Sequence, residues 1–159
     1  MLCRPVLGVL FLCSLQLAAP AQKTGNGNSV QGSLDARSWT MVAQSITPMR
    51  GGLRQLTSYY DLRVSNDSAI SNLPYFGRAY IAPMNPAEGG LNFSSLLSGY
   101  QIKTGKKGRR DISFSTKSSD DTQRMQLTVY NDGTASLQVI SNNRDPVTFS
   151  GFIKASDKK

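Results

Sequence analysis

The sequence predicts an all-β domain, an antiparallel meander that closes into a barrel. Three observations carry this reading. Apolar and polar residues alternate with a period of two over most of the chain from Trp39 onward. Turn-forming Gly, Asn, Asp and Pro clusters interrupt the alternation at spacings of roughly 8 to 14 residues. Helical periodicity extends no further than one turn, so crossover helices for a parallel sheet are lacking and the strands must be antiparallel neighbours. A two-sheet sandwich satisfies the same alternation; the unbroken series of hairpins favours the barrel.

Residues 1–21, MLCRPVLGVLFLCSLQLAAPA, combine one arginine, an apolar stretch and a small-residue Ala19-Pro20-Ala21 terminus. This is the pattern of a secretory signal peptide, with Gln22 as the first mature residue. The apolar stretch of about 12 residues is too short for a transmembrane helix, which needs ~20. An exported protein, periplasmic or extracellular, is expected, with no transmembrane segment after signal removal. Residues 22–37 form the lead-in. Gln22 to Gly32 is Gly/Asn/Ser-rich and expected to be flexible, and from Ser33 onward one helical turn capped by Ser33 and a plain loop fit equally well.

The domain, residues 38–156, then reads as nine or ten short strands: 39–47, 56–65, 68–76, 78–82, 91–93, 98–104, 109–117, 122–130, 134–140 and 147–154. Asn66-Asp67, GKKG, SSDD, Asn131-Asp132-Gly133 and Asn142 to Pro146 are hairpin connections. The Asn-Asp-Gly turn is the strongest, because these residues accept positive φ at little cost. The segment 83–90, PMNPAEGG, reads as the longest loop.

Composition excludes several chemistries. The chain has no histidine, and its two cysteines, Cys3 and Cys13, fall in the expected leader. The mature protein therefore lacks disulfides, cysteine nucleophiles, Ser-His-Asp triads and the usual Cys/His zinc and haem ligands. Glu88 is the sole glutamate and the aspartates fall mostly in turns. No catalytic residues, cofactor or metal site are expected, and no enzyme. The excess of basic residues is local: Lys103, Lys106, Lys107, Arg109 and Arg110 crowd one turn, and Lys158 and Lys159 the terminus. That distribution argues against a nucleic-acid-binding face.

Two segments stand out. In LPYFGRAY (73–80), Pro74 has no N–H for a sheet ladder and Gly77 marks a bend, so a strand turning a corner accounts for it, with Tyr75, Phe76 and Tyr80 as packing residues. SNNR (141–144) reads as a hairpin end. Together with YDLRV upstream and FSGFIK at the close, these words resemble the family of exported bacterial proteins known as domain of unknown function 4251, over roughly Trp39 to Lys154. The resemblance implies a lipocalin-like barrel and export in Gram-negative bacteria, and no reaction. It also implies that the N-x-S triplets at Asn66 and Asn92 go unmodified.

Two functional readings follow. In the first, the barrel holds a small apolar or amphipathic ligand inside or at its rim. LPYFGRAY and SNNR meet there, so that Arg78 or Arg144 presents a guanidinium beside Tyr75, Phe76 or Tyr80. Tyr59, Tyr60 and Asn143 complete its candidate residues. The structural alternative has Arg144 tie down loop carbonyls while the aromatics plug the barrel end. In the second reading, Lys103, Lys106, Lys107, Arg109 and Arg110 contact anionic lipid or polysaccharide of the envelope; the alternative is a solvated hairpin tip.

Overall fold

A computed structural model describes residues 26–80, 89–117 and 122–155. The expected leader, the SSDD turn and the terminal lysines lie outside the described residues. Eight strands form one closed barrel in sequence order: β1 (Ser38–Pro48), β2 (Arg54–Ser65), β3 (Ser68–Leu73), β4 (Leu91–Thr104), β5 (Arg110–Lys117), β6 (Thr122–Val129), β7 (Thr134–Ser141) and β8 (Val147–Ala155). Every pairing is antiparallel. The barrel is thus the architecture expected from sequence, and the sandwich is not formed.

Among the described residues the strands number eight instead of nine or ten. The segments 91–93 and 98–104 are one strand, β4, whose pairing with β5 is irregular between Ser98 and Gln101, with Gly99 at φ 65°. Of the expected strand at 78–82, residues 81 and 82 lie outside the described residues; in 78–80 no strand forms, and Ala79 makes an isolated bridge to Arg144. Strand β3 ends at Leu73, because Pro74 cannot continue the ladder.

The lead-in is corrected as well. Asn26–Asp35 is a helix, α1, rather than a flexible segment or a single turn, and Ser33 lies near its end instead of capping its start. Two glycines and two asparagines make it a poor intrinsic helix former, which hides it from propensity reasoning. Packing holds it: Val30 and Leu34, one turn apart, are both buried in the core. Arg37, at φ 51°, ends the segment, and its carbonyl accepts from Asn66 N–H in the β2–β3 turn.

Inward residues fill the barrel. Met41, Ile46, Leu62, Val64, Ile112, Phe114, Met125, Leu127, Leu137 and Phe149 are all at most 2% exposed and belong to one cluster. The seam joins β1 to β8 from Trp39 opposite Ala155 to Pro48 opposite Val147, with a bulge between Ala43 and Ser45. Gly151 sits at this bulge. A Cβ there would fall 1.9 Å from the Val42 carbonyl oxygen, so only glycine lets the two strands coil this tightly.

Alternating strand direction sorts the connections between two ends. At one end lie α1, the β2–β3 and β6–β7 turns and the basic turn between β4 and β5. The mouth, at the other end, gathers the β1–β2, β3–β4 and β7–β8 connections.

Candidate functional site

At the mouth, β3 and β7 stand on opposite walls, four strands apart in a closed ring of eight. The chain leaving β3 at Pro74 nevertheless reaches the β7–β8 loop. Tyr80 N–H donates to the Asn143 carbonyl at 2.8 Å, and Asp145 N–H to the Arg78 carbonyl at 3.0 Å. Residues 74–80 are therefore a strap laid across the mouth. This answers to both sequence readings: the segment turns a corner, and LPYFGRAY and SNNR meet at one rim.

Side chains lock the strap. The Tyr75 hydroxyl lies 2.7 Å from the Arg78 carbonyl and 3.1 Å from that of Asp145, both acceptors for its proton. Gly77 makes room for the phenol, since a Cβ at this position would stand 2.6 Å from the Tyr75 oxygen. The Tyr80 hydroxyl donates a short hydrogen bond to Asp145 Oδ1. Arg144 Nη1 donates to the Gly90 carbonyl at 3.0 Å, at the start of β4, and its guanidinium lies 5.1 Å from the centre of the Tyr75 ring. Both phenols are held protonated above their ordinary value near 10. Burial is the main cause for Tyr75, followed by the Asp145 charge; for Tyr80 the hydrogen bond to Asp145 comes first.

A pocket of about 500 Å³ opens between the strap and the β1–β2 loop, lined by Pro48, Met49, Arg50, Arg54, Tyr75, Phe76, Gly77, Arg78 and Asp145. Arg54 lies 5.3 Å from the centre of the Phe76 ring. Three arginines and one aspartate thus line the same pocket, and the Asp145 carboxylate is nearly buried and bonded to Tyr80. The lining combines cationic forks with aromatic and thioether surface, a combination suited to an anionic group attached to an apolar body.

Of the residues singled out from sequence, Tyr75, Phe76 and Arg78 line this pocket. Arg144, Asn143 and Tyr80 instead fasten the strap, Asn143 through its backbone. Tyr60 packs from β2 against the core and takes no part in the pocket lining, while Tyr59 is exposed on the outer wall with Lys154 5.8 Å over its ring. Arg50 and Arg54 were missed. The signal was present in PMRGGLR (48–54): in an up-and-down meander the β1–β2 loop must share an end with the β3–β4 and β7–β8 loops.

Among the described residues three buried side-chain atoms find no hydrogen-bond partner: Ser71 Oγ, Thr116 Oγ1 and Gln123 Oε1. Each residue lies within two positions of the mouth end of its strand, and Thr116 and Gln123 are direct cross-strand partners. A buried polar group left without a partner costs about 1–3 kcal/mol, and these three form a polar layer in the interior at the mouth.

The basic turn at the opposite end is less free than its charge suggests. Arg109 pairs with Asp111 at 2.8 Å, and Arg110 with Asp35 at 3.5 Å. Lys107, at φ 58°, offers its carbonyl to Asn131 Nδ2, which docks the turn on its neighbour. Lys103, Lys106 and Lys107 are exposed and make no ion pair among the described residues. Among those residues no helix is long and apolar enough to cross a membrane.

A protein from Bacteroides eggerthii, solved as a crystal structure of a DUF4251 family protein, is similar to this chain with 20% identity and a TM-score of 0.66, over 81% of this chain and 87% of that one. At that identity the likeness shows the shared fold. No curated protein matches the chain. The family model described as "Domain of unknown function (DUF4251)" matches residues 21–153, a span that takes in α1, the whole strap and all but the last two residues of β8, and the chain belongs to that family.

Proposed function

We propose that this chain is an exported binding module whose barrel mouth holds a small amphipathic ligand carrying an anionic group. One observation carries the reading: Arg50, Arg54 and Arg78 converge with Met49 and Phe76 on a pocket whose volume lies within the range of small-molecule sites. The filled interior favours the rim over the inside of the barrel in this reading. Binding without catalysis is supported by a composition that has no histidine and no cysteine beyond residue 13. Export, to the periplasm or beyond, is supported by the leader pattern of residues 1–21. The mouth is favoured over the basic turn because acidic partners already engage two of that turn's five cations.

The test is binding of a fluorescent fatty acid to wild type and to Arg54→Gln/Arg78→Gln, followed by anisotropy. Saturable binding that weakens with salt, and weakens at least about tenfold in the double variant, is the expected result. Equal binding by both proteins, or none by wild type, overturns the proposal. Vesicles of anionic lipid test the other end: retention lost in Lys103→Gln/Lys106→Gln/Lys107→Gln but kept in the mouth variant would assign binding to the turn instead.

A further inference from the structure

The outer wall carries a second concavity that shares no residue with the mouth pocket. It has a volume of about 590 Å³ and lies where β7, β8, β1 and β2 run side by side. Its floor follows from register: Ser136 pairs with Ser150, Ser150 with Ser45, and Ser45 with Gln55. Four adjacent strands thus present three serines and a glutamine in one row.

The bulge in β1 makes this possible. Regular alternation would send every second residue of β1 inward, but the register shift between Ala43 and Ser45 places Ala43 and Ile46 in the core and lets Gln44 and Ser45 both line the trough, Gln44 exposed and Ser45 nearly buried. Because the row consists of short side chains, it is a trough in a wall that is otherwise convex. Beyond the lining residues the row continues past Ser136 to Thr128, whose hydroxyl donates to Asp111 Oδ1 at 3.0 Å. Tyr130 stands half exposed in the trough's lining beside Thr134.

We infer that this trough is a binding site for an uncharged saccharide chain. None of the lining residues carries a charge, so neither an anion nor a cation is selected. Hydroxyls and carboxamides repeat across the strands at about 4.8 Å and supply both donors and acceptors, as a polyhydroxylated ligand requires. Three such steps span ~14 Å, a length that suits several sugar rings in a row better than one. The Tyr130 ring offers an apolar face for the C–H side of a pyranose, with its hydroxyl available for hydrogen bonding. A protein partner is disfavoured, since interface centres are rich in aromatic residues, Met and Arg, and this floor is serine. A second copy of the chain is opposed by a net charge of +8 on each.

The experiment is affinity electrophoresis through native gels containing a soluble α-glucan, a mixed-linkage β-glucan, a mannan or a xylan. Wild type should be retarded by at least one of these polymers, and the retardation should persist at high salt because no ion pairs are involved. Tyr130→Ala and Ser150→Leu, the second of which fills the trough from an exposed position, should each weaken retention about tenfold or more. The fluorescence of Trp39 reports that both variants keep the core. The mouth variant Arg54→Gln/Arg78→Gln should be retarded like wild type, which separates this site from the proposed ligand pocket. Migration unaffected by all four polymers overturns the inference, as does retention that survives both trough variants or disappears with salt.

Discussion

At the α1 end of the barrel, Trp39, Tyr100 and Phe114 pack ring against ring, Trp39 edge-on to Phe114 and Tyr100 stacked on it. Trp39 Nε1 donates to the Tyr100 hydroxyl, which donates in turn to the Leu34 carbonyl at the last turn of the helix. Arg37 covers Tyr100 from outside at 4.9 Å and pairs with Asp67. At the mouth the aromatic residues are Tyr75, Phe76 and Tyr80, and two of the three are substantially exposed. Their strap is held by backbone contacts, two phenol hydroxyls and one arginine. Both ends bring aromatics and arginine together, yet one packs its rings against the core as a plug while the other leaves two of its three exposed, near three buried polar atoms that find no partner among the described residues. The lesson is that hydrophobic burial fastens one end and polar contacts the other, so that exchange with solvent is concentrated where the pocket lies.

The comparison breaks most visibly through Trp39→Ala, which should destabilise the domain by about 3–5 kcal/mol in urea unfolding. Leu34→Ala should cost about 2–4 kcal/mol and detach α1, detectable as a change in the Trp39 emission and as faster amide exchange through 26–35. A loss near zero would mean that the helix is an ornament and the barrel needs no plug. Gly77→Ala pushes a methyl group against the Tyr75 phenol and should cost only about 1 kcal/mol. Its main readout is amide exchange, faster at Tyr80 and Asp145 and unchanged at the α1 end.

The smallest effect is on pH dependence. Tyr75 and Tyr80 have folded values raised above the unfolded value near 10, so their contribution is complete below that value and is lost as pH rises through the folded values. Tyr100 is raised too, chiefly by burial, so alkali loosens both ends. Asp145→Asn distinguishes them: it should return Tyr80 and part of Tyr75 toward ordinary ionisation in a phenolate absorbance titration and leave Tyr100 unchanged.

The wall of the barrel was legible because period-two alternation is a direct imprint of one-sided burial. The turns at Asn66 and Gly133 were legible because left-handed φ selects particular residues. Helix α1 was not, since Val30 and Leu34 are too few to show a period and the rest of the segment disfavours a helix. The two halves of β4 were divided across 94–97, where two serines followed by two leucines, one of them exposed, break the alternation although the segment pairs in regular register with β3. In the site, Tyr75, Phe76 and Arg78 were found through an unusual word. Arg50 and Arg54 demanded an argument about which loops share an end, and the serine row on the outer wall exists only once strand register is known.

The seam between β1 and β8 sets the order in which this protein can assemble. Seven of the eight pairings join consecutive strands, six of them across short turns that can form early as local hairpins, whereas the eighth waits for the two extremities of the domain to find each other. Because Trp39 lies opposite Ala155 in the finished structure, a short peptide joining those extremities would turn the slowest association into a local one. A circular permutant joined there and cut at a mouth loop would therefore fold faster than the natural chain.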